Sequence, residues 1–110
     1  MLTRHFPSSE VIFTDAGSGG AAIGDVLTEV DCQSLGAGLA RFSGGSIKWE
    51  LRFDEVVVGI EGLCMIEVGG VVHHVGPGDQ LWLPKGVVAI YSGVNALIAA
   101  VVALPQTEAK

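Results

Sequence analysis

Residues 46–53 carry the clearest pattern in the chain, because apolar and polar side chains alternate strictly there. The apolar members are Ile47, Trp49, Leu51 and Phe53, and each follows a serine or a charged residue. Successive side chains of a β-strand point to opposite faces of the sheet, so a period of two places all four on one face. The pattern predicts a half-buried strand.

Further short apolar segments, many of them rich in valine and isoleucine, occur on both sides of this strand. Glycine and proline separate them: Gly69-Gly70 has the composition of a two-residue hairpin turn, and residues 76–79 that of a tight turn. No segment shows a helical period. The sequence therefore predicts about nine or ten short strands, drawn from the segments 10–14, 25–30, 38–42, 46–53, 56–60, 63–68, 71–75, 80–83, 87–91 and 96–104.

So many short strands with close turns indicate an all-β sandwich or a closed barrel, since closure also removes the exposed strand edges. The length of 110 residues suits a single domain that spans the whole chain, 1–110. Residues 1–9 and 106–110 lie beyond the predicted strands, and we expect them to be terminal tails.

Composition and charge exclude several classes of partner. Hydrophobic residues make up 49% of the chain and charged residues 16%, which disfavours disorder. The formal net charge of −6 repels phosphate backbones and anionic lipid, so neither nucleic acid nor a membrane is an expected partner. The most apolar run, 96–104, is about half as long as a membrane-spanning helix requires. The first residues lack the apolar stretch of a secretory signal, so we expect a cytoplasmic protein.

The two cysteines, Cys32 and Cys64, have no partner at the spacing of a redox or zinc motif. Two thiols also cannot supply the four ligands of a structural zinc site. We interpret both as buried free thiols.

Two motifs resemble those of the cupin superfamily. Residues 78–86 follow the second cupin motif: a glycine, five residues, a proline, one residue and a glycine. Glu55, followed seven positions later by Gly62, resembles the end of the first motif. More narrowly, the chain is similar to the EutQ-type cupins of bacterial ethanolamine utilisation in residues 49–55, 61–62 and 83–86, and the likeness extends over residues 24–105.

This resemblance implies a cupin-type double-stranded β-helix, a jelly-roll barrel with any ligand bound inside its mouth. It also implies a homodimer and a link to ethanolamine-type amine metabolism and its bacterial microcompartment. Acetate kinase activity has been proposed in the family, but no Gly-x-x-x-x-Gly-Lys-Ser/Thr signature for a nucleotide occurs in this chain. The kinase activity is therefore not part of the prediction.

Metal-binding cupins hold their ion with a His-x-His pair, a glutamate and a third histidine after the second motif. The resemblance places Glu55 at the glutamate position, but the histidine positions are occupied by Trp49, Leu51 and Ala89. One frame earlier, the pair would be a lysine and a glutamate. A single carboxylate cannot build a metal site, so we expect neither a metal nor another cofactor.

Glu55 is the acid with a positional reason to face the barrel interior. A buried acid is costly unless a donor pairs with it, and the candidate donors are Tyr91, His73 and Arg41. As a structural group, Glu55 would only be hydrogen-bonded in the core. As a functional group it would bind a ligand, or act as an acid or base together with His73 or Tyr91. For His73 the structural role is favoured.

The predicted ligand pocket combines Glu55 with the residues at the histidine positions and with neighbouring inward-facing side chains. His73 is placed inward because it shares its parity with Val71 and Val75. The pocket residues are Trp49, Leu51, Glu55, His73, Ala89 and Tyr91.

Three functions remain compatible with the sequence. The first is a small-ligand-binding or auxiliary protein of amine metabolism, and the second is a metal-independent enzyme acting on a small metabolite. The third is a purely structural dimer module. A cavity large enough for a metabolite, with Glu55 deep inside, would favour the first two, whereas an interior filled by Trp49 and Leu51 would favour the third.

Overall fold

The computed structural model describes residues 3–104, and eight antiparallel strands account for most of them. A single 3-10 turn, Ser8–Glu10, precedes the strands. The prediction of an all-β chain is confirmed, and within residues 3–104 no helix is long and apolar enough to cross a membrane. The strands are β1 (Thr14–Asp15), β2 (Ala21–Leu27), β3 (Leu35–Phe42), β4 (Ser46–Glu50), β5 (Glu55–Val68), β6 (Val71–Val75), β7 (Gln80–Leu83) and β8 (Val88–Ala103).

The two longest strands, β5 and β8, form the centre of the sheet. They pair with each other from Glu55 opposite Val102 to Val68 opposite Ala89. The C-terminal half of β8 also pairs with β3 and its N-terminal half with β4, while β5 pairs with β7 and then with β6. The sheet order is β1-β2-β3-β8-β5-β6, with β4 joined to β8 and β7 joined to β5. The sheet thereby rolls around one apolar interior.

Bulges in the middle of β5 allow this curvature. The β5–β8 register shifts between Gly59 and Glu61 and again between Glu61 and Leu63. At this point Gly62 has a φ of 65°, and a Cβ on it would lie 2.1 Å from the carbonyl oxygen of Asn95. A glycine is therefore required at this close contact between β5 and β8.

The predicted strand boundaries change for the same reason. Segments 56–60 and 63–68 are one bent strand, β5, and segments 87–91 and 96–104 are one bent strand, β8. The described residues accordingly contain eight strands rather than nine or ten. A sheet that bends at a bulge keeps its pairing across residues that the sequence pattern interprets as a break.

Other boundaries are also corrected. The strand predicted at 25–30 begins earlier, at Ala21, and ends at Leu27. The strand predicted at 46–53 ends earlier, at Glu50. Leu51 is still buried, and its backbone N–H donates to the carbonyl of Val87. The strand predicted at 10–14 is reduced to the two residues of β1.

Part of the predicted N-terminal tail is attached to the barrel. Arg4 forms an ion pair with Asp31 in the loop between β2 and β3, and its guanidinium lies 4.8 Å from the centre of the Phe6 ring. This contact connects the N-terminal segment to the loop of residues 28–34. The predicted tail 106–110 lies outside the described residues.

The barrel interior is almost entirely apolar. Its largest fully buried side chains are Phe42, Ile66, Leu83, Ile98, Val57 and Cys64. Within the described chain, Glu55 is the one charged residue that is buried, with 8% of its surface exposed. Burial of a carboxyl group in such surroundings is unfavourable unless it is hydrogen-bonded, so the surroundings of Glu55 are the natural place to look for a functional site.

Candidate functional site

A cavity of about 420 Å³ lies at the end of the barrel where β5 begins. Its walls come from β2, β3, β4 and β8 and from residues 51–53. On one wall Gly38 pairs with Ala100, and Gly36 pairs with Val102. Both glycines allow close packing of this wall: a Cβ on Gly38 would lie 3.0 Å from the carbonyl oxygen of Gly24, and one on Gly36 would lie 2.9 Å from Cγ2 of Val102.

Glu55 and Tyr91 meet inside this cavity. Glu55 is the first residue of β5 and Tyr91 lies near the start of β8, and both line the cavity wall. The hydroxyl of Tyr91 donates a hydrogen bond of 3.0 Å to Oε2 of Glu55. The two residues are 36 positions apart, and the roll of the sheet brings them together.

The second carboxyl oxygen of Glu55, Oε1, faces open space. It has no hydrogen-bond partner among the described residues, where the Tyr91 bond is the one side-chain hydrogen bond of Glu55. Yet in that part of the chain no buried side-chain oxygen or nitrogen lacks a partner. The Oε1 atom must therefore keep accessible surface, and its residue lines the cavity. One oxygen of Glu55 is thus positioned by Tyr91 and the other is available to a ligand.

The surroundings shift the titration of both groups. Burial raises the pKa of the Glu55 carboxyl, and the hydrogen bond from Tyr91 lowers it by a smaller amount. Burial and the adjacent carboxylate raise the pKa of Tyr91, so its phenol stays protonated and remains a donor. The pair therefore combines a carboxyl that holds its proton more tightly than usual with a phenol that does not ionise near neutral pH.

The cavity mouth carries charged and aromatic side chains. Asp25, Glu29 and Arg52 line it and are exposed. Trp49 also lines it, with 48% of its surface exposed, so its ring borders the opening rather than filling the interior. The sequence pattern had indicated no role at the site for any of these three charged residues. The two-residue spacing between Ile23 and Asp25 in β2 was the signal that could have placed Asp25 on the inner face.

Four of the six predicted pocket residues line the cavity, namely Trp49, Leu51, Glu55 and Tyr91. His73 and Ala89 do not. His73 pairs with Ile66 and Ile66 with Tyr91, so His73 shares the inner face, but β6 lies at the other end of β5. Ala89 is fully buried in the core, opposite Trp49.

The structure also shows which of the candidate side chains donates a hydrogen bond to Glu55. Of the three candidates, Tyr91 makes the bond. Arg41 instead points away from the cavity, with its guanidinium 3.8 Å from a carboxyl oxygen of Glu61 and 5.5 Å from the centre of the Phe13 ring.

The side chains around Glu55 do not fit a metal ion. Tyr91 is its partner, and the positions of the cupin histidines hold Trp49, Leu51 and Ala89, which offer no ligand of that kind. Nowhere in residues 3–104 do three or more His, Cys, Asp or Glu side chains come together as a metal site. No step of the chemistry proposed below is therefore assigned to a metal.

The cysteines differ from each other. Cys64 is fully buried, as predicted, and burial raises the pKa of its thiol to about 11. Cys32 is only half-buried in the loop between β2 and β3, so the prediction of two buried thiols is wrong for this residue. Its sulfur lies 3.4 Å from the hydroxyl of Ser34, whose hydrogen bonds lower the pKa of the Cys32 thiol.

Comparison with known proteins adds sequence and fold relatives. A family model described as "Ethanolamine utilisation protein EutQ" matches residues 9–106. The protein "Acetate kinase EutQ" of Salmonella typhimurium (strain LT2) is 31% identical over 62 residues, which are 56% of this chain and only 27% of that protein. The match therefore spans little more than a quarter of the length of this relative.

Solved structures show the same barrel. The Clostridium difficile EutQ protein superposes with a TM-score of 0.72 at 21% identity, covering 94% of this chain and 83% of that one. An RmlC-like cupin from Shewanella frigidimarina NCIMB 400 has a TM-score of 0.74 at 19% identity, with 94% of each chain covered. These likenesses confirm the predicted cupin fold, and at such identities they show the fold alone.

Proposed function

The chain belongs to the EutQ family of ethanolamine utilisation proteins, and we propose that it binds a small organic molecule in the barrel cavity, without a metal ion, as an auxiliary protein of bacterial amine metabolism. The observation that carries this proposal is the Oε1 atom of Glu55, an acceptor left facing the cavity. The family relationship alone supports the remaining part of the proposal, which places the protein in the cytoplasm near the ethanolamine microcompartment.

The dimensions and lining of the cavity support ligand binding. Small-molecule sites have volumes of about 300–1,000 Å³, mostly apolar walls and a few polar groups that orient the ligand. This cavity, at about 420 Å³, has that composition, with Glu55 as its deep polar group. A purely structural module would gain stability by filling such a space, since empty volume in a core forfeits packing energy. Trp49 and Leu51 border the cavity without filling it.

The name of the Salmonella relative describes an acetate kinase. Phosphoryl transfer requires groups that hold a nucleotide and its metal, and the sequence has no glycine-rich loop with a lysine of that kind. The kinase activity is therefore left outside our proposal.

The proposal is tested by ligand-detected NMR with a panel of small amines, alcohols, carboxylates and sugars. Ala100→Leu would fill part of the cavity, and Glu50→Gln, on an exposed residue outside it, is the matched control. We expect at least one class to bind the wild type and Glu50→Gln, and to lose binding in Ala100→Leu. The proposal would be contradicted if no compound of the panel binds, or if the compounds that bind do so equally well in Ala100→Leu.

A second candidate function is supported by the direct bond between Tyr91 and Glu55. A carboxyl with a raised pKa beside a phenol is an arrangement suited to general acid–base catalysis on a bound metabolite. Of the two partners considered for Glu55, the geometry favours Tyr91 over His73. Incubating each ligand found above with the protein and following it by NMR tests this function, because turnover should be lost in both Tyr91→Phe and Glu55→Gln.

We also propose that the protein is a homodimer joined through the outer face of β5, β7 and β8. On this face Trp82 pairs with Val56, and Val56 pairs with Val101, so three apolar residues form one row. Trp82 is 65% exposed. The outward residues of this row and the next are all uncharged, namely Gln80, Trp82, Val56, Val58, Ala99 and Val101.

An uncharged apolar face favours a second copy of this chain as its occupant. Two chains of net charge −6 repel each other unless they approach through a surface without carboxylates. Sedimentation analysis should give twice the monomer mass of 11.4 kDa for the wild type and for Val94→Lys, an exposed valine elsewhere on β8. Trp82→Lys should produce monomers. A monomeric wild type would contradict the dimer.

A further inference from the structure

The deep end of the cavity is rich in hydrogen-bond acceptors and poor in donors. Tyr91 is the nearest donor to Glu55, and its single O–H is already used in the bond to Oε2. When ionised, Glu55 is an acceptor only, and its Oε1 is the atom left facing the cavity. A ligand that satisfies this atom must bring its own donor.

The charged residues of the lining also favour a ligand with a positive charge. They are the carboxylates Asp25, Glu29 and Glu55 and one guanidinium, Arg52. The ion pairs found in residues 3–104 are Arg4 with Asp31 and Arg41 with Glu61, so none of the four lining charges is neutralised by a partner. The site thus has an excess of negative charge, and Arg52 lies at its exposed mouth rather than beside Glu55. An anionic ligand would have to be buried against an unpaired carboxylate.

The rest of the lining suits an alkyl group. Phe42, Ile98 and Leu51 are apolar and buried, and Trp49 and Phe53 add aromatic surface nearer the opening. Aromatic faces attract organic cations as well as alkyl chains. A ligand of matching chemistry has a positive N–H donor at one end and a short hydrocarbon body.

We propose that the cavity takes a small alkylammonium cation, whose N–H groups donate to Oε1 of Glu55 and whose alkyl group contacts the apolar lining. This inference rests on the proposed ligand-binding function and specifies its ligand class. It also explains why an acid is retained in an otherwise apolar interior, because the ligand supplies the positive charge that the protein leaves out. The raised pKa of Glu55 is consistent with a carboxyl that lacks this charge in the free protein.

Three probes with four carbon atoms each and different charges separate the ligand classes. They are n-butylammonium, butan-1-ol and butyrate, with binding measured by calorimetry or NMR at pH 7.5. We expect n-butylammonium to bind the wild type about tenfold or more tightly than butan-1-ol, because the ammonium adds the attraction of opposite charges to its hydrogen bond with the Glu55 carboxylate. Butyrate should not bind measurably. Added salt should weaken the binding of n-butylammonium and leave the binding of butan-1-ol unchanged.

Substitutions test which side chain binds the ammonium group. Glu55→Gln is isosteric and should weaken the binding of n-butylammonium about tenfold while leaving the binding of butan-1-ol unaffected. Glu50→Gln removes an exposed carboxylate outside the cavity and should change neither probe. Circular dichroism establishes that each variant is folded. Arg52→Gln should tighten the binding of n-butylammonium, since it removes the one positive group of the lining.

Several outcomes would overturn the inference and still leave the cavity as a binding site. If butyrate binds and Arg52→Gln abolishes it, the ligand class is anionic. If butan-1-ol binds as tightly as n-butylammonium, the positive charge is irrelevant. If n-butylammonium fails to bind while the fragment panel yields cavity ligands of another class, the ammonium assignment is wrong but the proposed function stands. If no compound of the panel binds, both the ammonium assignment and the proposed binding function are overturned.

Discussion

Tyr91 donates a 3.0 Å hydrogen bond to Glu55, and this bond joins the beginnings of β8 and β5 across the barrel interior. It positions one carboxyl oxygen and leaves the other toward the cavity. Burial raises the pKa of the Glu55 carboxyl, and the bond from Tyr91 offsets part of that rise and part of the cost of burying the acid.

The titration of Glu55 should make stability depend on pH. Below the ordinary pKa of 4.5, the acid is protonated in both the folded and the unfolded chain. As pH rises toward the raised folded pKa, the unfolded chain ionises first, so the free energy of unfolding falls. Glu55→Gln should not show this loss and should therefore be more stable than the wild type at pH values above the folded pKa of Glu55. Urea unfolding of both proteins between pH 4 and pH 8 measures the difference, and parallel curves would contradict the assignment.

Removing the Tyr91 hydroxyl should affect Glu55 directly. In Tyr91→Phe the bond that lowers the pKa of Glu55 is lost, so this pKa should rise further. The free energy of unfolding should fall by about 1–3 kcal/mol at neutral pH, because a buried carboxylate loses its donor. Carbon-detected NMR titration of the Glu55 carboxyl reports the pKa. In the double variant with Glu55→Gln the effects of the two substitutions should not add, and strict additivity would argue against the bond.

The bend of β5 should depend on Gly62. A Cβ there would meet the Asn95 carbonyl oxygen at 2.1 Å, and φ is 65°. Gly69 has a similar φ of 59° but nothing within 4 Å, so Gly69→Ala isolates the backbone strain, about 1–2 kcal/mol. Gly62→Ala should lower the free energy of unfolding by about 1–3 kcal/mol more than Gly69→Ala does. Equal losses in chemical denaturation would show that the close approach at Asn95 is unimportant.

The two thiols should react at very different rates. Cys32 is half-buried with a lowered pKa, whereas Cys64 is fully buried with a pKa of about 11. A chromogenic disulfide reagent at pH 8 should modify one thiol per folded chain, and the second only after denaturation. Cys32→Ser should abolish the rapid reaction. Two rapidly reacting thiols in the folded protein would contradict the burial of Cys64.

The purified protein should carry no stoichiometric transition metal, because Trp49, Leu51 and Ala89 occupy the positions of the cupin histidines. Elemental analysis after mild dialysis measures the content, and a chelator should leave the melting temperature unchanged. One tightly held iron, manganese, nickel or zinc ion per chain would refute this expectation.

The fold could largely be predicted from the sequence because its signals are local. The alternation around Trp49 and Leu51 follows from the two-residue period of a strand, and the hairpin at Gly69-Gly70 follows from the backbone freedom of glycine. The same period, together with the resemblance of Glu55 and Gly62 to the first cupin motif, predicted that Glu55 faces the interior, where it is buried.

The composition of the site was decided by tertiary structure. Period-two alternation tells which face a side chain occupies, but it does not tell which residue of a distant strand lies opposite or how far along the barrel it sits. Tyr91, His73 and Arg41 were therefore equivalent partners for Glu55 in the sequence. In the β5–β8 register Glu55 lies opposite Val102 and Tyr91 opposite Ile66, so the bond between Tyr91 and Glu55 forms only because the sheet rolls and brings these two residues together across the interior. The same tertiary arrangement leaves His73, on β6 beside Ile66, outside the cavity and brings Asp25 to its mouth.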